Sequence, residues 1–501
     1  MGVIKKQAFQ SSVLLYTGTL IGFLTTGVMA PNLLSKSEIG TLKLLQSYSS
    51  VVMSLGIFGF STITIRFLPI FFDKIKEHYN GFLGISLIVG TIGSILATLV
   101  IYVIKPFIIE NNIDKSPEFA QYFLLIIPLT IFQIYYSLFD SYNNALYRSS
   151  YGVLIRDFVQ RILILIGLFL ILIQFFNFDQ YIYFFTAALC FPTILMLAHI
   201  IKHKSFDVKI NFNFLKKPII ASMASVGLFG MLNNFSGIAV IQIDTIMLNM
   251  YLDSAVVGIY AITFYFGTLV LIPSKALNKI APTLIAKAYK EKDMETVKDV
   301  YYKSSGNLFL IGALILLGLL VNLENVFNII PKTYEEGKYV IVLIGLANLI
   351  KMAAGSNDSI ITYSKYYKMT TFFLVIMIIL IVILNFIFIP IFGMTGAALA
   401  SLLAILIHNL MKFTFIKAKF DLNPYNFQYL IVLIISAIIY LLVSLLPDIN
   451  NFIIEIFIDS ICAAILFYFS VRYLAIAHEI NHFINQLTDR AIKIIRSKFK
   501  Q

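Results

Sequence analysis

The length of the apolar runs limits the fold of this chain more than any other feature. Runs of 18–25 apolar residues recur along the whole sequence and are separated by short charged or turn-forming segments. A helix rises about 1.5 Å per residue, so a run of about 20 residues crosses the roughly 30 Å hydrocarbon layer of a bilayer. The sequence therefore predicts an all-α integral membrane protein.

Composition leaves no room for a sizeable soluble domain. The chain is 59% hydrophobic and 13% charged, against roughly 45–50% and 25% in soluble globular domains. The net charge of +12 does not indicate nucleic acid, because Lys and Arg lie in the gaps between apolar runs. Cys190 and Cys462 fall inside apolar runs, where cysteine ordinarily acts as a small hydrophobic residue.

The apolar runs predict about 14 transmembrane helices. The predicted spans are 13–34, 44–66, 82–104, 119–139, 153–174, 179–201, 219–250, 254–273, 304–324, 339–361, 369–390, 394–416, 427–446 and 452–475. With the N-terminus in the cytoplasm, 31 of the 38 Lys and Arg residues fall on the cytoplasmic side, six fall outside, and Lys351 lies within a span. This bias follows the positive-inside rule and places both termini in the cytoplasm.

The chain is predicted to divide into an N-terminal six-helix lobe (1–201), a basic cytoplasmic linker (202–218), a C-terminal six-helix lobe (219–416) and an extra transmembrane pair (427–475). A basic amphipathic tail (476–501) is predicted to lie on an anionic inner leaflet or to bind a partner. Residues 37–42 and 255–260 precede the second span of each lobe, 218 residues apart. Two such repeats with an even number of spans would share one orientation in the membrane.

Three segments carry a resemblance to a known family. They are Ser37-Glu38-Ile39-Gly40 with Leu42 and the later Arg66-Phe67-Leu68-Pro69; Asp244, Leu248, Gly258 and Tyr260; and Ile389 to Ser401, which contains Pro390, Gly393 and Gly396. On these motifs the chain resembles the multidrug/oligosaccharidyl-lipid/polysaccharide (MOP) exporter superfamily, in its Wzx-type polysaccharide flippase branch. The resemblance runs over nearly the whole chain.

The resemblance implies two six-helix lobes around a central cavity that opens alternately to each face. The implied cargo is an undecaprenyl-diphosphate-linked oligosaccharide, such as a polysaccharide or O-antigen (lipopolysaccharide) repeat unit, moved across the bacterial cytoplasmic membrane. A proton or sodium ion as coupling ion and a polysaccharide polymerase as partner would fit this reading. The extra helix pair favours this branch over the drug exporters, which resemble twelve-helix proteins. Lipid II flippases carry arginines in the first span, whereas Val13–Leu33 is uncharged, which argues against a peptidoglycan precursor.

The motif residues also have a packing interpretation. Pro390, Gly393 and Gly396 predict a tight outer turn, and the small residues after it let two helices approach closely in lipid. Asp244 is interpreted as a hydrogen-bonded packing residue, and Tyr260 as a neighbouring motif residue. Gly40, Gly258 and these residues are therefore assigned structural roles.

The candidate substrate-binding residues are charged or polar positions in or near spans. Asn348, Lys351 and Asp358 recur at helical spacing with Gly355 and Thr362, which predicts one polar stripe. The stripe either lines the cavity or lets Lys351 and Asp358 neutralise each other in a packed interface; both readings stay open.

Arg66, Lys275 and Lys279 lie at the predicted cytoplasmic ends of the second and eighth spans. They are candidates for binding a diphosphate, with anchoring by snorkelling as the alternative.

Other chemistry has little support. The six His residues are scattered, and no phosphate-binding Gly-rich loop or nucleophile elbow occurs. We therefore predict no enzyme, no metal site and no cofactor. The alternatives are an ion-coupled multidrug antiporter of the same superfamily and, less favoured because the outer loops are short, a membrane-embedded polymerase or transferase of the same pathway.

Overall fold

Every regular element of the described chain is a helix. The computed structural model describes residues 14, 17–71, 81–146, 148–203, 206–210, 217–447 and 449–474; the predicted amphipathic tail, 476–501, lies outside the described residues. The chain forms two compact units, Met1–Phe266 with Thr371–Ala404 and Gly267–Thr370 with Ile405–Gln501. The predicted domain boundaries at 201–219 and 416–427 stay predictions.

The first unit, to which the later segment Thr371–Ala404 also belongs, contains nine helical elements in the described part of Met1–Phe266. They are α1 (Phe23–Met29, a π-helical stretch, then Ala30–Leu33), α2 (Lys36–Gly56), α3 (Phe60–Phe67), α4 (Phe82–Asn112), α5 (Pro117–Ala145), α6 (Ser149–Val153, Leu154–Val159 and Gln160–Leu172 in succession), α7 (Phe178–Lys202), α8 (Lys217–Tyr251) and α9 (Ser254–Leu271, continuing into the second unit).

The second unit contains the elements that follow. They are α10 (Ser274–Glu291), α11 (Met294–Val321), α12 (Leu323–Ile329), α13 (Lys338–Ala353), α14 (Asn357–Tyr363), α15 (368–392, mostly in the first unit), α16 (394–420, shared between the units), α17 (Phe427–Val443) and α18 (Phe452–Tyr473).

Polar side chains just before the helices fix where several of them begin. Ser35 Oγ accepts a hydrogen bond from the backbone N–H of Glu38 while the Glu38 carboxylate accepts from the backbone N–H of Ser35, a capping box that starts α2. The Asp293 carboxylate caps α11 by accepting hydrogen bonds from the backbone N–H and the hydroxyl of Thr296, and these hydrogen bonds lower the pKa of the Asp293 carboxyl. Such caps satisfy amides that have no partner inside the helix.

The protein is a multi-pass membrane protein. By length and apolar character, eight of the described helices can cross a bilayer, or ten if the bent pairs α2–α3 and α13–α14 each count as one span. All fourteen predicted spans overlap helical segments in the described residues. The helical fold class is thereby confirmed, and the count of fourteen crossings stays a prediction.

Two of the predicted spans are bent. The α2–α3 pair bends by 51° at Phe58 and Gly59, whose φ angles are +51° and +67°. The α13–α14 pair bends by 49° around Gly355, with φ +55°. The predicted polar stripe through Asn348, Gly355 and Thr362 therefore does not run along one straight helix.

A sharp reversal at Gly393 separates α15 from α16. Gly393 has φ +56° and ψ −134°, a backbone conformation that is essentially restricted to glycine. A Cβ on Gly396 would overlap the carbonyl oxygen of Phe388, although eight residues of straight helix would separate the two by about 12 Å. The turn lies where the sequence predicts one, one helical turn after Pro390.

The connection after α9, which the sequence analysis leaves between two predicted spans, is largely helical. Residues 275–291 form most of α10, which packs against α11 and α14. Lys275 lies half-buried in its first turn, and the side chain of Lys279 lies outside the described residues. The extra helix pair, α17 and α18, packs on α11 through an apolar core that includes Val432, Ile439 and Phe467.

Candidate functional site

A buried carboxylate lies at the meeting of four helices in the first unit. Asp244 of α8 is 2% exposed. Its Oδ1 accepts from Asn385 Nδ2 of α15 at 2.7 Å, and its Oδ2 accepts from Tyr260 of α9 at 2.9 Å and from Ser401 of α16 at 2.5 Å. Three donors compensate much of the cost of desolvating this group. We call Asp244, Tyr260, Asn385 and Ser401 the enclosed cluster.

The reversal at Gly393 assembles this cluster. Asn385 and Ser401 are sixteen residues apart in sequence and would be about 24 Å apart in a straight helix, yet both reach one carboxylate. Asn385 is fully buried, and its Oδ1 has no hydrogen-bond partner among the described residues. The cluster therefore contains an oxygen acceptor that is available to a proton donor or a cation.

A lysine on α2 extends the enclosed cluster. Lys43 Nζ donates to Gln242 Oε1 at 3.2 Å, and Ser47 Oγ donates to the same oxygen at 2.9 Å. The Lys43 ammonium also interacts electrostatically with the Asp244 carboxylate. The sequence analysis places Lys43 on the outer side and gives it no role; only its spacing from Ser47, one helical turn, could have indicated a shared face.

A second group of charges lies in the second unit. Lys412 Nζ of α16 contacts Asp358 Oδ1 of α14 at 2.9 Å. The Lys412 side chain is 4% exposed, whereas that of Asp358 is 63% exposed. His408, one helical turn before Lys412, and the exposed Lys351 both interact electrostatically with this pair. We call Lys351, Asp358, His408 and Lys412 the open cluster.

The open cluster adds a partner, Lys412, that the sequence analysis does not name. The direct ion-pair partner of Asp358 is Lys412, 54 residues later in sequence, because the bend at Gly355 turns α14 toward α16. Asn348 is buried, and its Nδ2 donates to the carbonyl of Gly267 at 3.1 Å. That amide is engaged in helix packing, whereas Lys351 and Asp358 are exposed. With His408 neutral, the open cluster carries one excess positive charge.

The two repeat-related glycines lie against each other. A Cβ on Gly40 would overlap the carbonyl oxygen of Ser254, and a Cβ on Gly258 would overlap the carbonyl oxygen of Lys36. Gly40 and Gly258 are 218 residues apart, and so are Lys36 and Ser254, so the repeat offset relates the two contacts to each other. The first turns of α2 and α9 therefore cross backbone to backbone around a local two-fold relation, as small residues at helix crossings allow.

Hydrogen bonds tie the same ends together. Ser37 Oγ lies 2.8 Å from Ser254 Oγ and donates to Glu118 at 2.7 Å. Ser116 Oγ donates to Asn249 at 3.0 Å and accepts from the backbone N–H of Ser254 at 2.9 Å. The ends of α2, α5, α8 and α9 therefore form one closed polar layer.

Two further arginines lie near the ends of spans, and the sequence analysis names only the second of them, Arg66. Arg161 of α6 donates to the carbonyl of Gly18, so a guanidinium lies against the uncharged first span. Arg66 is exposed in the last turn of α3, at the end of the bent second span. Within the described residues, no group of three or more His, Cys, Asp or Glu side chains could hold a metal ion.

Comparisons with known proteins were made at the level of sequence and of structure. No family model matches the chain. A probable flippase, AglR of Haloferax volcanii, is 25% identical over 220 residues, which is 41% of this chain and 44% of that protein. The match thus spans less than half the length of that curated relative.

Several solved structures are similar to this chain over much more of its length. The lipid II flippase MurJ, in an inward closed conformation, matches with a TM-score of 0.69 at 16% identity, over 95% of this chain and 100% of that chain. An inward-facing multidrug resistance MATE transporter of the MOP superfamily gives 0.53 at 13% identity over 82% and 98%. The chain has the fold of the MOP superfamily. The Vibrio cholerae MATE transporter VcmN gives 0.54 at 14% identity over 85% and 100%.

These matches confirm, at the level of the fold, the resemblance to the MOP superfamily found in the sequence. The similar proteins are flippases and transporters and not catalysts, in agreement with the prediction that the chain is not an enzyme. The Wzx-type branch and the roles of the individual site residues stay predictions.

Proposed function

We propose that this protein is a flippase of the MOP superfamily that moves a lipid-linked oligosaccharide across the cytoplasmic membrane by alternating access. The observation that carries the proposal is the open cluster: the charged side chains of Lys351 and Asp358 are exposed on the bent pair α13–α14, which by its length and apolar character counts as one candidate span. Ionisable groups in membrane helices are costly and normally face protein, water or cargo. Both termini would be cytoplasmic.

The open cluster suits the head of an anionic, sugar-bearing lipid. Its excess positive charge attracts a diphosphate: two opposite charges 4 Å apart interact by roughly 4 kcal/mol at an effective dielectric of 20. The exposed carboxylate of Asp358 is an acceptor for sugar hydroxyls, and its pairing with Lys412 fixes its position. A site with both signs of charge therefore fits a diphosphate-linked sugar better than a purely apolar drug.

The enclosed cluster suits the coupling ion. Asp244 supplies a buried carboxylate, and the Oδ1 atom of Asn385 is an acceptor oxygen without a hydrogen-bond partner among the described residues. Oxygen ligands are what a hard monovalent or divalent cation prefers. We assign the coupling role to Asp244 and leave open whether the ion is H⁺ or Na⁺.

The crossing of Gly40 and Gly258 suits a gate. Backbone-to-backbone contact and short polar side chains hold the ends of α2 and α9 together without an apolar core. Such an interface separates at a modest cost, because each neutral hydrogen bond contributes only about 0.5–1.5 kcal/mol net. We propose that this layer closes the outer face in the state described.

The second candidate is an ion-coupled multidrug antiporter. The MATE transporters share the fold, and the enclosed cluster would serve an antiporter equally well. The mixed charges of the open cluster and the extra pair α17–α18 favour the flippase. The finer cargo, a bacterial polysaccharide or O-antigen repeat unit of the Wzx-type branch, and a polymerase partner belong to the same proposal.

A transport assay with paired variants tests the proposal. In proteoliposomes that contain a fluorescent polyprenyl-diphosphate oligosaccharide, Arg66→Gln and Lys275→Gln should each slow flipping without lowering the amount of inserted protein. Arg66→Lys should rescue only partly, because a lysine cannot grip phosphate oxygens bidentately. Lys365→Gln and Lys368→Gln are the matched controls and should be silent. Ion-dependent efflux of cationic dyes with no lipid flipping would favour the antiporter.

A further inference from the structure

An apolar cavity of about 490 Å³ lies in the first unit, and none of its lining residues belongs to either cluster. The α2–α3 bend, the start of α4 and the first half of α8 enclose it. All of its lining residues are apolar, and they include Phe58, Ile63, Ile85, Ile220, Ala224 and Leu228. Ile220 and Leu228 are also exposed at the surface. The cavity therefore opens to the surface of this unit, where a lipid chain can enter.

Cations stand one helical turn beyond the lining on two of the three helices. Arg66 follows the lining residue Ile63 by three positions on α3, and Lys217 precedes Ile220 by three positions on α8. Both cations are exposed. Residues three apart share a helix face, about 4.5 Å along the axis.

The two cations lie at the same end of the cavity. Lys43 contacts Gln242, and Gly59 lies against Gly227, so α2–α3 runs antiparallel to α8. The end of α3 therefore meets the beginning of α8. One end of the cavity carries positive charge from both helices.

A third cation borders the same cavity. The backbone of Lys209 lies against Gly81, one helical turn before the lining residue Ile85 of α4. Asp207, the acidic residue of this segment, accepts from the backbone N–H of Gly81 at 3.0 Å and of Lys209 at 3.3 Å. Its carboxylate is thus engaged in holding the segment on α4, and among the described residues of the rim positive charge is in excess.

Size and charge together indicate the ligand. The volume holds about sixteen groups of methylene size if each takes about 30 Å³, the share of a water molecule in the liquid. That is about three isoprene units of one chain, and less than the two long chains of a phospholipid. Three rim cations also suit a diphosphate better than the single charge of a phosphodiester.

We propose that this cavity binds the end of the isoprenoid chain nearest the head of a polyisoprenyl-diphosphate carrier lipid, with the diphosphate at Arg66, Lys209 and Lys217. The inference rests on the proposed function, since it gives the same cargo a second binding position, which the diphosphate occupies at a different step of transport from its contact with the open cluster. Transfer of the chain from the bilayer gains no hydrophobic energy, because lipid tails are as apolar as the lining. Close packing and the charged rim therefore supply the selectivity.

Photo-crosslinking tests the site directly. The full chain in nanodiscs, with benzoylphenylalanine at Leu228, should capture radiolabelled polyisoprenyl diphosphate on irradiation. The same group at Phe229, exposed but outside the lining, should capture much less. Loss of one charge-assisted contact in Arg66→Gln should weaken capture about tenfold. Excess unlabelled polyisoprenyl phosphate should compete, and phosphatidylglycerol should not.

A filling variant provides the second measurement. The Trp side chain in Ala224→Trp should fill the cavity and abolish capture of polyisoprenyl diphosphate by benzoylphenylalanine at position 228. Ser222→Trp, at an exposed position outside the lining, should leave this capture unchanged. Melting temperature and monodispersity of both variants show whether each one folds. If Ala224→Trp fails to fold, the comparison of positions 228 and 229 decides alone.

The outcomes separate this inference from the proposed function. Equal capture at positions 228 and 229, or equal competition by phosphatidylglycerol, would overturn the carrier-lipid site even if the wild-type protein flips cargo in proteoliposomes. Selective capture at position 228 in a protein that flips no lipid would support the site and contradict the flippase.

Discussion

Each of the two units contains an acidic side chain with polar partners, and the two sites differ in exposure, in the kind of partner and in charge. Asp244 is 2% exposed and takes three neutral donors from three other helices. Asp358 is 63% exposed and takes one ammonium, that of the buried Lys412. The first site is enclosed and carries the negative charge of Asp244, with Lys43 as its nearest cation. The second is open and carries an excess of positive charge.

The difference separates two tasks that a coupled transporter must perform. An enclosed carboxylate that is 2% exposed cannot contact a large polar head. An open cluster of mixed charge can contact a large polar head. We therefore assign the ion to the enclosed cluster and the cargo to the open cluster. Variants at each cluster test this assignment.

The largest expected effect follows from removing the enclosed charge. Asp244→Asn keeps the size of the side chain and should lower ion-driven flipping at least about 100-fold, because the coupling ion loses its only acidic ligand in the cluster. Rates in proteoliposomes with and without an imposed ion gradient provide the measurement. The matched variant Asp358→Asn should slow flipping while preserving its dependence on the gradient. Unchanged gradient dependence in Asp244→Asn would refute the assignment.

Fixing the first turns of α2 and α9 together should have the next largest effect. In a Ser37→Cys, Ser254→Cys pair, the two side chains start 2.8 Å apart, so a disulfide should form under oxidation. Flipping should fall about tenfold, limited by the uncrosslinked fraction, and should return on reduction. Each single cysteine variant is the control. Full activity in the oxidised double variant would show that this layer does not open.

Removing one partner of the Asp358–Lys412 ion pair should destabilise the protein more than removing both. Asp358→Asn leaves the buried Lys412 ammonium without its partner and should lower the free energy of unfolding by about 2 kcal/mol. Breaking a fully buried pair costs roughly 3–5 kcal/mol, and the loss is smaller here because Asp358 is largely exposed. Thermal unfolding in detergent measures this cost. The double variant Asp358→Asn, Lys412→Gln should recover much of it. A double variant less stable than the single one would contradict this account.

The smallest expected effect belongs to one donor of the enclosed cluster. Ser401→Ala removes one of three hydrogen bonds to Asp244 and should destabilise the protein by about 1 kcal/mol. It should also leave the gradient dependence of flipping intact, since the carboxylate remains. Thermal unfolding and the gradient assay on the same preparation check both parts. Loss of coupling in Ser401→Ala would make the hydroxyl, and not the carboxylate alone, part of the ion site.

The spans could be predicted from the sequence because each apolar run must match the thickness of a bilayer. Gly40 and Gly258 were identified because the repeat preserves their spacing, and the structure brings them into contact. The reversal at Gly393 followed from Pro and Gly chemistry. In each case the signal lies within a few residues of sequence or at one fixed offset.

The polar partners could not be predicted, because they depend on bends and on distant helices. The bend at Phe58 places a bulky residue at positive φ, which sequence gives no reason to expect. Lys412 lies 54 residues from Asp358, and Asn385 lies 141 residues from Asp244. The sequence predicts that Asp244 is hydrogen-bonded, but it does not identify the donors, because they come from three helices whose arrangement hydropathy does not specify.

The central claim is that this protein flips a diphosphate-linked lipid, that an ion gradient drives the flipping, and that the coupling ion binds at the enclosed cluster. Stopped-flow quenching of a fluorescent polyprenyl-diphosphate oligosaccharide in proteoliposomes measures it most directly. Wild type should flip the lipid faster when a proton or sodium gradient is imposed, and Asp244→Asn should flip it at the same slow rate with or without that gradient. A wild-type rate equal to that of empty liposomes under every gradient would contradict the account.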